Sequence, residues 1–557
     1  MMNTSVEPCD DFYEYVCGNY NLEEILLVSE YTRRDLEGLE KYLKTYQPES
    51  SNQKVAISML KKCVDDKNTD VNSFMTDFWA DSTKDLTKFI IEVTKINSAT
   101  GGFFKIYTWP AEYNGTKYAK TFLTAGDISF DQMKPWKEVA DEIKFMNLTE
   151  FVYQLLPEDL RSLDVLDNSL YVVDSFVQLN AYVEQTGVEN IKKQLHESWK
   201  ESLSKYIIES HTFKDCFERF TEDLFSGTLG MIFLNQSNFT QEHIDRGKSI
   251  YEELQIQTVE IISRNDWITP PWKKQLIEKV LQTTAYFGIP ENHENITVMD
   301  QMYKRVLESS NFEGSSYLEL LRDVMRMNSE ETFLHFSKRT PITYTGNIIG
   351  VNGNHNPTSS AITISQYWLK YPYLDANLPN WSIIASYAFV VAHEISHMFG
   401  KGSVLVDSHF AFNLQPEFFQ SYQIREDCLV SQYSNFTFPG TNETLNGTAT
   451  ITENFPDILG SKIAYELLTK YLKFDPNPLS LPGFEEYTIL QQYYIRNANT
   501  WCRNHMTKPY IDASRTDKHS PTIFRVHGMM KNSPHFSEAF ECYSQSPMNP
   551  EHKCETF

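Results

Sequence analysis

Residues 383–399 read IIASYAFVVAHEISHMF, an almost unbroken apolar run that nevertheless carries His393, Glu394 and His397. A run of this kind predicts a helix buried on most of its faces. Charged and polar side chains inside such a helix are costly unless they are paired or coordinated. Their spacing supplies the reason for keeping them. His393 and His397 are four apart, so both imidazoles project from one face and can take two positions on a single tetrahedral Zn²⁺. Glu394, one step round the helix, can accept a proton from a water held there.

Such a site needs a third protein ligand and an open fourth position. Downstream, Thr452 to Asp457 read TENFPD and open a second apparent helix that continues through Ile463, Leu467 and Leu468. Glu453 and Asp457 share a face of it, so one carboxylate can bind the metal while the other holds a ligand histidine by its free N–H. Nearer the end, DKHSPTIFR spans residues 517–525. His519 there could donate to a developing oxyanion, and the always-charged Arg525 could grip a carbonyl or carboxylate.

The remainder of the chain bounds the class. Its 557 residues predict two or three structural units. With 41% hydrophobic and 14% aromatic residues it can build a large core, and this is not the composition of a disordered chain. A formal charge of −24 excludes a nucleic-acid binder's electrostatics. No apolar stretch approaches the roughly 18–20 residues of a membrane span. Met1 to Asp11 carries acids and no apolar core, so a secretory signal is not expected within it. Asn-x-Ser/Thr acceptors nevertheless recur, with Asn435, Asn442 and Asn446 crowded into one hydrophilic stretch, and the eight cysteines form no CxxC pair suited to zinc. Eight cysteines allow 105 full pairings, which spacing cannot resolve.

Amphipathic segments recur over Leu22–Leu43, Val71–Asn97, Leu155–Ile207, Phe213–Phe233, Thr240–Ser263 and Trp272–Phe287, predicting a helix-rich first half. Pro270 and Pro271 precede one segment, and Gly288 to Pro290 close it. From Thr340 to Tyr373, Ile342, Tyr344, Ile348–Val351 and Ala361–Ile364 sit among turn residues and predict short strands, one of them at the edge of the site.

At this point the chain resembles the neprilysin and endothelin-converting-enzyme family of zinc metallopeptidases. The N-terminal CDDFYEYVCGN of residues 9–19 is similar to that family's CxDFYxYxCGNW. Asn352 and Gly353 stand where the family has an Asn-Ala pair on an edge strand. The HExxH run, the Glu-Asn-x-x-Asp set at 453–457 and the tail from His519 to Cys554 complete the likeness. The resemblance implies a mainly α fold with a small β component: a thermolysin-like catalytic domain (residues 1–16 with 331–557) facing a helical cap (17–330) across a closed cavity. It implies one Zn²⁺ per chain on His393, His397 and Glu453, with Glu394 as base. Asp457 would orient His393, Asn352 and Gly353 would meet the substrate backbone, His519 would stabilise the oxyanion, and Arg525 would position residues beyond the scissile bond. It also implies cleavage of short peptides on the amino side of hydrophobic residues, and disulfides Cys9–Cys542, Cys17–Cys502, Cys63–Cys216 and Cys428–Cys554. Those bonds require an oxidising compartment, hence an extracellular or outward-facing location.

The departures are specific. The family follows its second histidine with Gly-Phe-Asp, whereas Met398, Phe399 and Gly400 stand here, removing an acidic partner of His397. Ser365 and Gln366 replace a Pro-Ala-Gly turn, and the Trp pair expected near Leu414 is missing. Pro456 is tolerable only in the first turn of its helix. These differences motivate an alternative, a catalytically weakened relative that binds peptides without turning them over. A third reading is a cytosolic peptidase with reduced thiols.

Overall fold

From Asn380 to Phe399 the backbone is helical without interruption. It runs through Asn380–Ile383, a π turn over Ile384–Ala388, Phe389–Ser396 and a tight 3-10 turn over His397–Phe399. Every residue from Trp381 to Ser396 is buried, which matches the apolar pattern. The serines at 386 and 396 donate their hydroxyls to the carbonyls of Ser382 and Ala392 at 2.9 and 2.7 Å, so neither enters the core unsatisfied. The structure is a computed structural model and describes residues 2–20, 26–66, 85–96, 104–113, 116–125, 133–156, 170–204, 206, 212–222, 224–236, 239–289, 296–309, 312–337, 350–356, 360–400, 403–404, 416–503 and 508–557.

The helix carrying Glu453 spans Gly447–Phe474, capped at its start by the Asn446 side chain, which accepts from Ala449 N–H. It therefore begins well before Thr452. This corrects the expectation for Pro456, which lies deep in the helix and not in its first turn. The N–H that Pro456 lacks would have gone to the carbonyl of Thr452, a residue that is exposed. The two helices cross at Gly460. A Cβ there would meet the His393 backbone N at 2.8 Å and Cα at 2.9 Å, so only glycine allows this approach.

Two sheets accompany the helices. β5 (Thr284–Phe287), β7 (Ala361–Ile364) and β6 (Gly353–Asn356) form one, in the order β5-β7-β6, with β5 parallel and β6 antiparallel to β7. Among the described strands β6 is thus at the edge, as the resemblance implies. The other sheet, β1 (Lys105–Tyr113), β2 (Thr116–Thr124), β4 (Leu170–Val173) and β3 (Met133–Pro135), lies in the half expected to be helical. It interrupts the amphipathic segment drawn from Leu155 to Ile207. Leu170, Val172 and Val173 are buried, and this short apolar, β-branched run pairs parallel with β2 before the helix Asp174–Thr186 begins. The segment drawn from Trp272 to Phe287 likewise ends as helix at Gln282, where Thr283 Oγ1 donates to Lys279 O, and continues as β5. That from Phe213 to Phe233 divides into Phe213–Glu222 and Ser226–Gln236. Most of Val71–Asn97, the stretch from Ile342 to Ile348, and Leu414 lie outside the described residues.

Three apolar cores organise the described residues. One, built around Phe389 and Leu459, gathers the HExxH and Glu453 helices, the N-terminal helix Phe12–Cys17, and also Gln241–Arg264 and Pro270–Gln282 from the middle of the sequence. The second is helical and centres on Leu60, Phe217 and Leu321, and the third on Phe89, Phe151 and Phe176 beside the four-stranded sheet. All four disulfides join as expected: Cys9–Cys542, Cys17–Cys502, Cys63–Cys216 and Cys428–Cys554. The first two staple the N-terminal helix to the tail, where Phe12 packs edge-on against Phe536 and Phe540 at 4.7 and 5.0 Å.

Candidate metal centre

The crossing at Gly460 brings Glu453 and Asp457, two turns and one turn before it, against the histidine face of the HExxH helix. His393 Nε2 and His397 Nε2 are 3.1 Å apart, and Glu453 Oε2 lies 3.3 Å from the first and 3.4 Å from the second. His393, His397 and Glu453 are the grouping among the described residues whose donor atoms converge within 4.8 Å. Three donors at about 2.0–2.1 Å from a tetrahedral Zn²⁺ stand about 3.3 Å from each other, so the spacing fits that ion. The donor chemistry fits as well. Glu453 Oε2 is buried and has no hydrogen-bond partner among the described residues, an expense that a cation in the cluster would remove.

Asp457 supports this group from behind. Its Oδ1 lies 2.9 Å from His393 Nδ1, although the approach falls short of a well-aligned hydrogen bond. Arg525 forks onto the same carboxylate, Nε to Oδ2 at 2.8 Å and Nη2 to Oδ1 at 2.7 Å, and its guanidinium lies 4.0 Å above the Trp501 ring. Burial opposes the charge on Asp457, but Arg525 and then His393 outweigh it and hold the carboxyl at about 2. Burial likewise opposes a proton on His393, and Asp457 and Glu453 overcome it, raising the imidazole to about 9. Glu453 is held far below the ordinary carboxylate range by His393 and His397 despite its burial. At His393 Nε2, a proton and a metal ion are therefore alternatives.

The remaining residues expected at the site are also near it. Glu394 is buried against β6, where a Cβ on Gly353 would stand 2.6 Å from its Oε1. The backbone of Asn352 is fixed by Ser365, whose Oγ accepts from Asn352 N at 2.9 Å and whose N–H donates to Asn352 O at 2.9 Å. The serine found in place of the family's turn thus anchors the start of the edge strand. His519 Nε2 lies 3.4 Å from Glu453 Oε2, and its Nδ1 lies 2.9 Å from Asp517 Oδ1. Arg525 spends two of its nitrogens on Asp457. For His397 Nδ1 there is no partner among the described residues, and Gly400 contributes none.

Three neighbours of the site were not singled out in the sequence. Lys518 Nζ lies 3.0 Å from Glu453 Oε1. His355 sits two residues beyond Gly353 on the same strand face, its ring parallel to His397 with centroids 6.2 Å apart. Burial and then the neighbouring His397 push its pKa well below the ordinary histidine value, so it is neutral. The strand period of two from Gly353 is a signal that could have found it. Lys279 donates to the carbonyls of Met398 (3.1 Å) and Ser403, a cation at the C-terminal end of the HExxH helix. Nothing local in the sequence points to that contact, since it spans more than a hundred residues.

Comparison with known proteins agrees with this geometry. Residues 352–556, which contain every candidate site residue, match the sequence model of peptidase family M13. Over this segment the chain is similar to that family. Curated relatives include Neprilysin-11 of Caenorhabditis elegans, 29% identical over 58% of this chain and 38% of that protein, and Neprilysin-1 of the same organism, 24% identical over 76% and 58%. Endothelin-converting enzyme 1 of Mus musculus is 26% identical over 68% of this chain and 50% of its own length. The chain spans about half the length of the curated relatives it matches. The fold as a whole matches the inhibitor complex of Mycobacterium tuberculosis zinc metalloprotease Zmp1 (TM-score 0.74, 16% identical, covering 100% of this chain and 98% of that one). It also matches PepO from Lactobacillus rhamnosis (TM-score 0.73, 15% identical, 99% of each chain). The kinship with neprilysins and endothelin-converting enzymes and the mainly α, small-β architecture expected from the sequence are both borne out.

Proposed function

We propose that this M13 relative is a zinc endopeptidase acting on short peptides. The observation that carries the proposal is the convergence of His393 Nε2, His397 Nε2 and Glu453 Oε2, with Glu394 on the same helix as the two histidines. A zinc ion held by those three residues supplies Lewis-acid polarisation of a peptide carbonyl and acidification of a water. Glu394 takes the proton of the attacking water and passes it to the leaving amine. β6, at the edge of its sheet among the described strands, offers Asn352 and Gly353 to an extended peptide backbone.

His519 donates from Nε2 to the carbonyl oxygen as it gains charge. Asp517 Oδ1, 2.9 Å from Nδ1, orients the ring so that Nε2 faces the ligand group. Arg525 holds Asp457, and through it His393, and faces the residues beyond the scissile bond. Cleavage on the amino side of hydrophobic residues, and an extracellular or outward-facing setting, belong to the same reading. The four disulfides support the setting. Among the described residues no helix is long and apolar enough to cross a membrane. We further take 1–16 with 331–557 as the catalytic unit and 17–330 as its cap, with Gln241–Phe287 packing into the catalytic core.

The weakened, peptide-binding alternative rests on Gly400 and on the altered edge strand at Ser365 and Gln366, and the intact ligand set counts against it. One experiment separates them: zinc content near one per chain, with hydrolysis of a fluorogenic short peptide lost in Glu394→Gln, supports the peptidase. Zinc binding without turnover in the wild-type chain would leave only the alternative.

A further inference from the structure

We infer that Lys518 is a positioning residue for Glu453, fixing which carboxylate oxygen is offered to a metal ion. The inference rests on the reading of His393, His397 and Glu453 as a zinc site. A carboxylate has two oxygens, and a ligand free to turn can bind through either or through both. Glu453 is not arranged symmetrically. Its Oε2 faces the Nε2 atoms of His393, His397 and His519 at 3.3, 3.4 and 3.4 Å, while its Oε1 faces Lys518 Nζ at 3.0 Å. A cation on Oε1 breaks the equivalence of the two oxygens and leaves Oε2 as the one directed at the imidazoles.

The contact differs from an ordinary surface ion pair, in which both partners are solvated and the gain is small. The lysine side chain is 65% exposed but the glutamate only 2%. The loop that carries Lys518 is itself tied to the same turn of helix. Ser520 Oγ donates to Asn454 Oδ1 at 2.6 Å, a buried bond to the residue next to Glu453, and Asn454 Nδ2 in turn donates to Thr450 Oγ1 at 2.8 Å. Asp517 holds the His519 N–H at 2.8 Å. With Ser520 tied to the helix and Asp517 closing a turn onto His519, this loop presents Lys518 to Glu453.

Two effects of the ammonium oppose each other. Holding the carboxylate in one orientation favours metal binding, while positive charge near the ligand weakens it. The second is reduced because most of the lysine side chain lies in water. Loss of a group that orients a metal ligand typically costs about 10- to 100-fold in metal affinity. Lys518→Met in the full, disulfide-bonded chain should therefore weaken zinc binding about 10-fold by chelator competition at fixed pH. It should also change the visible d–d bands of the cobalt-substituted protein as the carboxylate turns toward two-oxygen binding. Lys518→Arg should restore both, because a guanidinium can hold the same oxygen. Zinc affinity and cobalt bands unchanged in Lys518→Met, tighter binding in that variant, or an arginine variant as weak as the methionine one would each overturn the inference while leaving the zinc site standing. A wild-type chain that takes up no zinc would overturn both together.

Discussion

Replacing Gly460 with alanine tests the helix crossing on which the site depends. An ideal Cβ at this position stands 2.8 Å from His393 N, 2.9 Å from His393 Cα and 3.1 Å from Ala392 C. Comfortable carbon contacts lie at about 3.5–4.0 Å, so the two helices must part by roughly 0.7–1 Å. Overpacking costs about 1–3 kcal/mol, and since the obstacles are backbone atoms that cannot swing aside, the upper half of that range applies. Alanine's better helix propensity offsets about 1 kcal/mol. The net expectation is a loss of about 1–2 kcal/mol, a factor of roughly 5–30 in the unfolding constant. The same displacement carries Glu453 away from His393. Their 3.3 Å spacing opens beyond the roughly 0.5 Å tolerance of a functional site, and zinc affinity should fall by at least about 10-fold. Several cores and four disulfides make a single two-state ΔG ill-defined. The useful measurements are the zinc dissociation constant by chelator competition and the thermal transition with and without zinc. Gly38→Ala is the control, since a Cβ there meets nothing within 4 Å and propensity alone should make it neutral or stabilising. A Gly460→Ala protein that melts higher than wild type and binds zinc equally well would refute the close crossing.

Other expectations follow from single contacts. At Gly400 an added Cβ meets only His397 O at 3.4 Å and φ is −64°, so Gly400→Asp fits the backbone. By giving His397 an acidic neighbour it should tighten zinc binding about 10-fold, and an unchanged dissociation constant would remove Gly400 as the reason to suspect a weak site. Gly353→Ala places a methyl 2.6 Å from Glu394 Oε1 and should lower kcat on a fluorogenic peptide about 10-fold or more without releasing zinc, because the base moves and the ligands do not. Equal loss of zinc would contradict that division. Asp11 caps the helix Phe12–Cys17 through Glu14 N and pairs with His527 Nε2 at 2.9 Å. Burial raises its pKa, but the bond to His527 outweighs this and the carboxyl is held below its ordinary 3.8. Its stabilisation is therefore present above that value and lost as pH falls through the lowered one. Asp11→Ala should cost about 1 kcal/mol from the cap near neutrality, and the gap to wild type in thermal melts should shrink on acidification instead of widening.

The sequence made the site legible wherever chemistry is local. HExxH announces itself because helix spacing places both imidazoles on one face, and the Glu453–Asp457 pair follows the same rule one helix later. The buried character of 381–396 was equally plain, since no amphipathic alternation interrupts it. The four-stranded sheet was not. Leu170–Val173 is too short to show a period of its own and sits between helical patterns, and only pairing with β2, some fifty residues earlier, makes it a strand. The place of Pro456 is hidden for a related reason: the helix begins at a capping asparagine whose neighbours Gly447, Thr448 and Thr450 are poor helix formers, and packing overrides their propensity.

What no local pattern could show is how unequally the three candidate ligands are supported. His393 has Asp457 at its other nitrogen, and Asp457 is locked by a two-point contact from Arg525. Glu453 has Lys518 on its second oxygen. Among the described residues His397 has neither, and what surrounds it is indirect: neutral His355 lying parallel to its ring, and Lys279 holding the carbonyl of the next residue. Each of these supports comes from a different part of the chain, so substitutions in them should not be equivalent. Removing Asp457 leaves a buried arginine without its partner as well as a loosened histidine, and should cost both fold and metal. Removing Lys518 should cost metal alone. The ligand with least to lose is His397, which is why an acid restored at Gly400 is expected to strengthen the site where the loss of any other support weakens it.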